Sequence, residues 1–142
     1  PYFNDNCSLD NYKIIQSFIR NIRLQKGSLN KNIYNSRLLI INNSGTVFHQ
    51  RMAANLPTIA FWDRKMWGLS KQAEPYFNTL AEAGILFNSG KEAAEKVNEI
   101  WYDIEYWWNQ SHIQKAREEW CWQYARTSKN WRIEWMKVLW RL

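Results

Sequence analysis

The sequence has no long apolar run and few cysteines. No stretch approaches the ~20 consecutive apolar residues of a membrane-spanning helix, and the first residues lack the basic and then apolar pattern of a signal peptide. The two cysteines, Cys7 and Cys121, are far apart and belong to no paired motif. We therefore expect reduced thiols in a cytoplasmic protein, although the sequence alone also allows a disulfide between them.

Histidine is scarce as well. His49 and His112 are the only two, and neither has a cysteine or carboxylate at the spacing of a metal-ligand motif. We expect neither a metal site nor a cofactor. His49 is more typical of a helix surface, with a contact to a ligand phosphate as the alternative.

Basic residues are concentrated at the two ends of the chain. The net charge is +6, and residues 1–41 and 112–142 carry six and seven basic residues, more than twice their acidic ones. This distribution suits anionic partners such as nucleotide phosphates, nucleic acid or an acidic membrane surface, although most surface charge is simply solvated. The length of 142 residues favours a single domain core.

The first 36 residues are rich in asparagine and serine and have a poorly defined pattern. A few apolar residues fall on a common helical face, which predicts a helix over residues 9–23. Gly27 and the polar residues 28–32 then predict a loop.

A strand, a helix and a second strand are predicted next. Residues 38–41 form an aliphatic run typical of a strand buried on both faces, and a turn through Gly45 follows it. Residues 46–54 favour a helix that Pro57 ends, and residues 58–62 form a second apolar run. Connections this short close compactly only if the strands are parallel, so we predict a βαβ unit.

The alternation continues towards a helical tail. A helix over residues 73–83, ended by Gly84, leads to a third apolar run at 85–87. From residue 90 to 108, apolar residues repeat at helical spacing and predict one continuous helix. Similar spacing predicts helices at 113–124 and 131–142. The sequence therefore predicts an α/β domain over residues 37–142, with a parallel sheet and a helical, Trp-rich tail.

The turn after the first strand is the best candidate site. It ends a parallel strand and opens a helix, the position where ligands bind in open α/β sheets. Backbone N–H groups, the helix dipole and the hydroxyls of Ser44 and Thr46 favour a phosphate, and Gly45 permits close approach. A turn that serves the fold alone is an equal alternative. Asp63, Arg64 and Lys65 lie at the same edge, where a loop salt bridge is the alternative.

Several segments resemble the donor-binding half of GT-B-type glycosyltransferases, and more specifically bacterial transferases of surface carbohydrate synthesis. The resemblance covers about residues 36–130. It is carried by SRLLIINNSGT at 36–46, MAANLPTIAFWD at 52–63, AEPYF at 73–77, AGILF at 83–87, WW at 107–108 and QYART at 123–127.

This resemblance implies that the chain is the C-terminal part of a Rossmann-like GT-B C-terminal domain. Such a domain binds a nucleotide-activated sugar donor, while residues of a separate N-terminal domain usually help to bind the carbohydrate or lipid-linked acceptor or act as the general base. The donor phosphates would lie against Asn43, Ser44, Gly45 and Thr46. Gln50 stands where enzymes of this type commonly have a glutamate that binds ribose hydroxyls, and an amide binds hydroxyls more weakly than a carboxylate.

The tail supports an alternative function. Eight of the ten tryptophans follow residue 100, and Trp122 and Trp140 fall outside the predicted apolar stripes. Tryptophan mixed with basic residues is typical of a helix that lies on an anionic membrane. The alternative is therefore a non-catalytic module that docks on the inner face of the membrane or on a partner protein. No nucleic-acid-binding motif is present, so we expect no nucleic-acid partner.

Overall fold

The computed structural model describes residues 11–19, 21–23 and 27–141. The chain divides into two compact units, with the boundary between Asn32 and Ile33. Cys7, Leu142 and parts of the predicted N-terminal helix lie outside the described residues.

The N-terminal unit contains α1 (Asn11–Phe18), inside the predicted helix. The loop prediction for residues 28–32 was wrong, because α2 (Leu29–Asn35) begins there and ends in the second unit. The buried side chain of Ile33 and the side chains that bind its carbonyl oxygen explain this helix. These contacts outweigh the weak helix propensity of the asparagine-rich sequence.

A three-stranded parallel sheet forms the centre of the second unit. Its strands are β1 (Leu39–Ile41), β2 (Thr58–Phe61) and β3 (Leu86–Phe87), in the order β1-β2-β3. The helices α3 (Thr46–Ala53) and α4 (Glu74–Glu82) connect consecutive strands. The predicted βαβ unit and the α/β class are therefore confirmed.

The first strand is less buried than the sequence predicted. Ile40 is 50% exposed, and Leu39 and Ile41 are half-buried. The prediction of a strand buried on both faces was wrong because β1 lies at the sheet edge, with only β2 beside it among the described residues. An edge strand lacks the second neighbour that covers a central strand.

Four helices follow the sheet: α5 (Gly90–Ile100), α6 (Ile104–Trp108), α7 (Ser111–Tyr124) and α8 (Trp131–Leu139). The single helix predicted over 90–108 was wrong, because residues 101–103 separate α5 from α6. There the Asp103 N–H bonds to the Ile100 carbonyl at 2.9 Å, which tightens the last turn. The Tyr102 carbonyl accepts a hydrogen bond from the Arg37 side chain at 3.2 Å. None of the described helices is both long and apolar enough to span a bilayer.

The core lies on both sides of β2. Successive side chains of a strand point to opposite faces. Accordingly, Trp62 packs against Phe48 and Phe77 from α3 and α4, whereas Phe61 lies against Gly90 at the start of α5. Trp120 of α7 is fully buried, and its ring centroid lies 5.0 Å from that of Phe48. α7 therefore closes the side of the sheet that α3 and α4 cover.

A buried arginine joins α2 to β2. The Arg51 guanidinium donates to the carbonyl oxygens of Ile33 at 2.7 Å, Ser36 at 3.1 Å and Pro57. Its Nε donates to the Thr58 hydroxyl at 3.4 Å. Burial lowers the pKa of Arg51 from its usual value. Each of the three guanidinium nitrogens thus has an oxygen partner, as a buried cation requires.

Candidate functional site

Asn43 shapes the turn that follows β1. Its side-chain oxygen accepts the Gly45 N–H at 2.8 Å, and its side-chain nitrogen donates to the Asn42 side chain at 3.1 Å. Gly45 has φ −72°, which any residue adopts. A Cβ at that position would, however, lie 2.7 Å from the Asn43 side-chain oxygen. The Asn43 side chain would therefore have to move to admit any other residue here, whereas the backbone angle would not change.

The helix that opens from this turn has an uncapped N-terminus. Gly45 is the N-cap of α3 and offers no side chain, and its carbonyl accepts the N–H groups of Phe48 and His49. Within the described part of the chain, the N–H groups of Thr46 and Val47 have no acceptor. The hydroxyls of Ser44 and Thr46 are also without a partner there. Four hydrogen-bond donors are thus available at the positive end of the helix dipole.

The start of α5 provides a contrast at the same edge of the sheet. The Ser89 hydroxyl accepts the Glu92 N–H at 3.2 Å, and the Glu92 carboxylate accepts the Asn88 N–H at 3.1 Å. Ser89 thus caps α5, and the Glu92 carboxylate brings a negative charge to the helix start. The first turn of α3 has no acidic residue, so α3 is the more favourable of these two helices for an anion.

His49 and Gln50 follow in the first turns of α3. The His49 Nδ1 lies 3.1 Å from the Gly45 carbonyl oxygen, so that nitrogen carries the proton if the contact is a hydrogen bond. The ring centroid of His49 is 5.0 Å from that of Trp120, which links the turn to the core. Gln50 is half-buried and lies four residues after Thr46, on the same side of the helix. His49 thus supports the turn, while Gln50 lies one helical turn from the free donors.

A cavity of about 570 Å³ opens at the ends of β2 and β3. Among the described residues Asp63 forms no salt bridge with Arg64 or Lys65, and its carboxylate accepts the Lys65 backbone N–H at 2.8 Å. The Arg64 guanidinium donates to the Asn78 side chain at 2.6 Å. Basic, acidic and amide side chains line this cavity: Asp63, Arg64, Lys65, Leu69, Glu74, Asn78 and Asn88.

The turn and the cavity are separate features of one edge. Because β1 and β2 are adjacent and parallel, their carboxyl ends meet there. The turn residues do not line the cavity, whereas Asp63, Arg64 and Lys65 do. Sequence reasoning missed Asn88, although its position directly after a strand was a usable signal. Glu74 and Asn78 lie on α4 and gave no signal.

No metal centre is visible at this edge. Among the described residues, no three histidine, cysteine, aspartate or glutamate side chains approach one another closely enough to hold a metal ion. The side chains and backbone at this edge offer hydrogen bonding and electrostatic attraction from N–H groups, hydroxyls, amides, two carboxylates and two cations.

Comparison with protein families gives a match over nearly the whole chain. The model of the LIC12162 family transferase matches residues 1–139. The chain belongs to the LIC12162 transferase family. Comparisons with curated proteins and with solved structures gave no match. Membership of the LIC12162 family confirms the prediction that the chain belongs to a transferase. The family match also includes the first 35 residues, which the glycosyltransferase resemblance does not cover.

Proposed function

We propose that this chain is the donor-binding part of a glycosyltransferase-like enzyme that uses a nucleotide sugar in bacterial surface polysaccharide synthesis. The single observation that carries the proposal is the open start of α3, where the N–H groups of Thr46 and Val47 and two hydroxyls have no partner among the described residues. The parallel sheet is compatible with a Rossmann-like, GT-B C-terminal domain. Membership of a transferase family favours an enzyme over a non-catalytic module.

The donor diphosphate would lie against residues 43–46. Asn43 would hold the turn open, Ser44 and Thr46 would donate hydroxyl hydrogen bonds, and Gly45 would leave space for the phosphate. Negative charge grows on the diphosphate as the sugar leaves, so fixed N–H donors and the helix dipole stabilise the transition state more than the ground state. Gln50 would bind a ribose hydroxyl through its amide.

The neighbouring cavity is suited to the rest of the donor. Its volume of about 570 Å³ falls within the usual range of ligand pockets, roughly 300–1,000 Å³. The side chains of Asn88 and Glu74 can hydrogen-bond sugar hydroxyls, and Arg64 and Lys65 can attract a phosphate oxygen. The acceptor and the general base would come from a facing N-terminal domain.

Nucleotide protection against unfolding tests this proposal. The full chain is unfolded by heat with and without UDP, GDP, CDP or ADP, and a bound nucleotide raises the midpoint. At one hundred times Kd, the protection is worth about 2.7 kcal/mol. If none of the four nucleotides at millimolar concentration protects the chain, the donor-binding proposal is wrong.

A charge introduced at Thr46 makes the test specific. Thr46 is exposed and is the first residue of α3. The carboxylate introduced by Thr46→Asp therefore interacts favourably with the helix dipole but repels a phosphate. We expect unchanged or higher stability without nucleotide and at least roughly tenfold weaker nucleotide binding. Ser111→Asp is the matched control, since Ser111 is the exposed first residue of α7. Equal protection in both variants would place the nucleotide elsewhere.

A further inference from the structure

The apolar side chains of the last helix are all exposed to solvent. No residue of α8 is buried, and Trp135 and Trp140 are 61% and 87% exposed. The large apolar side chains of this helix that are exposed are Trp131, Ile133, Trp135, Met136, Val138 and Leu139, and Trp140 follows at its C-cap. A helix of nine residues is too short to be stable in water without packing. Some surface must therefore cover α8.

The apolar residues occupy most of the circumference of the helix. At about 100° per residue, one side carries Trp131, Trp135, Val138 and Leu139, and the other carries Ile133, Met136 and Trp140. Together they span roughly 220°. Lys137 and Arg141 occupy the remaining arc with Glu134. A helix that packs on one face typically has an apolar stripe at least about 100° wide, so a contact of about that width would leave much of this surface in water.

The charge around α8 is strongly basic. Residues 126–141 contain five basic residues and one acidic residue. That acidic residue, Glu134, is already engaged, since its carboxylate lies 3.6 Å from the Arg126 guanidinium and accepts the Ser128 hydroxyl at 2.8 Å. The remaining cations are thus free of carboxylate partners among the described residues and complement an anionic surface.

Two arginines are packed against tryptophan rings in this region. The Arg126 guanidinium lies 4.2 Å from the ring centroid of Trp122, and that of Arg132 lies 5.3 Å from the ring of Trp131. Stacking on an indole lets an arginine stay charged close to apolar surroundings. Arg132, which interrupts the apolar arc, is therefore compatible with a partly apolar environment.

We propose that α8 docks on an anionic membrane surface, with its axis in the plane of the bilayer interface. Tryptophan is the side chain that favours the boundary between headgroups and acyl chains, because its ring is apolar and its N–H is polar. The wide apolar arc enters this boundary, while Lys137 and Arg141 bind anionic headgroups. The docking does not depend on the donor site proposed at α3.

Vesicle co-sedimentation tests the docking. The full chain is mixed with vesicles of phosphatidylcholine alone or of phosphatidylcholine with roughly one-third phosphatidylglycerol. We expect binding to the anionic vesicles only, weakened by added salt. The double variants Trp135→Ser/Trp140→Ser and Lys137→Glu/Arg141→Glu should each reduce binding at least roughly tenfold.

Matched variants elsewhere control for loss of an indole or a charge. Trp67 is 60% exposed in the loop after β2, so Trp67→Ser removes an exposed tryptophan outside α8. The side chains of Lys91 and Lys115 are 86% and 79% exposed, and Lys91→Glu/Lys115→Glu makes the same change in charge. Both controls should bind anionic vesicles as the unmodified chain does.

Three results would overturn the membrane proposal. The first is that the full chain binds to neither kind of vesicle. The second is equal loss of binding in the α8 variants and their controls, because binding would then follow overall charge. The third is a concentration-dependent dimer that Trp135→Ser/Trp140→Ser abolishes without vesicles, because a second copy would then cover α8.

Discussion

The indole N–H of Trp108 reaches two oxygens of Asn55, the side-chain oxygen at 2.9 Å and the backbone carbonyl oxygen at 3.2 Å. Asn55 has φ +53° and is the one described residue other than glycine with a positive φ. Asparagine tolerates this left-handed conformation better than most residues. The contact fixes α6 to the end of α3, 53 residues earlier in the chain.

Replacing either partner should destabilise the second unit. Trp108→Phe keeps an aromatic ring but removes the donor, and we expect a loss of about 1–3 kcal/mol in the free energy of unfolding. Asn55→Ala also strains the backbone and should cost about 1–2 kcal/mol. Asn55→Asp keeps an acceptor oxygen and should cost less than Asn55→Ala. Urea unfolding measures all three, and equal midpoints for the two Asn55 variants would contradict this account.

Arg51 should be essential for stability although it lies outside the candidate site. An ammonium group cannot reach the oxygens that the guanidinium joins, so Arg51→Lys leaves buried carbonyl groups without donors. We expect a loss of about 2–4 kcal/mol in the free energy of unfolding. Arg132→Lys, on the exposed face of α8, is the control and should change stability by less than about 0.5 kcal/mol. Similar effects at both positions would show that the Arg51 contacts contribute little.

The turn after β1 is suited to a double-mutant cycle. In Gly45→Ala the new methyl group must displace the Asn43 side chain, whose oxygen lies 2.7 Å from its position. In an Asn43→Ala background that conflict is absent, so the same change should be less costly. We expect a coupling free energy of about 0.5–1.5 kcal/mol from urea unfolding of the four proteins. Additive effects would mean that Asn43 does not hold the turn.

Cys121 should give the protein a pH dependence in mild alkali. Burial raises the pKa of this thiol, and the charge of Arg117 opposes the shift. The unfolded thiol loses its proton near about pH 8.5, before the folded one does. Stability should therefore fall as the pH rises above that value, until the folded thiol also ionises.

Unfolding free energies between about pH 8 and 9.5 measure the cysteine contribution. Cys7→Ser provides the background with a single thiol, and Cys121→Ala in that background should flatten the slope. The folded thiol should also react with a disulfide reagent more slowly than the unfolded one, because the thiolate is the nucleophile. Identical slopes with and without Cys121 would contradict the role of burial.

Local signals in the sequence were sufficient for the βαβ unit. The aliphatic run, the turn through Gly45 and the break at Pro57 lie within 20 residues of sequence, and each determines the structure of the residues next to it. The prediction of one continuous helix over residues 90–108 failed at a point where a residue far away in the sequence makes a contact. The continuous apolar stripe across α5 and α6 gave no sign of a break at Tyr102, whose carbonyl is bound by Arg37, 65 residues earlier in the chain.

The candidate site shows the same limit. Strand ends could be located, so the turn and residues 63–65 were predicted to lie at one edge, and the strand pairing places them there. The uncapped state of α3 could not be predicted, because it depends on the Asn43 side chain bonding to Gly45 rather than to the helix. The contribution of α4 to the cavity depends on how that helix packs, which its sequence does not encode locally.

The tryptophans also provide an intrinsic fluorescence probe of the folded state. Trp62, Trp107, Trp108 and Trp120 are at most 5% exposed, whereas the other six tryptophans are 49–87% exposed. A water-soluble quencher such as iodide should therefore remove one part of the fluorescence in the folded state and spare another. The spared part reports on unfolding of the core, while the quenched part includes the indoles of α8.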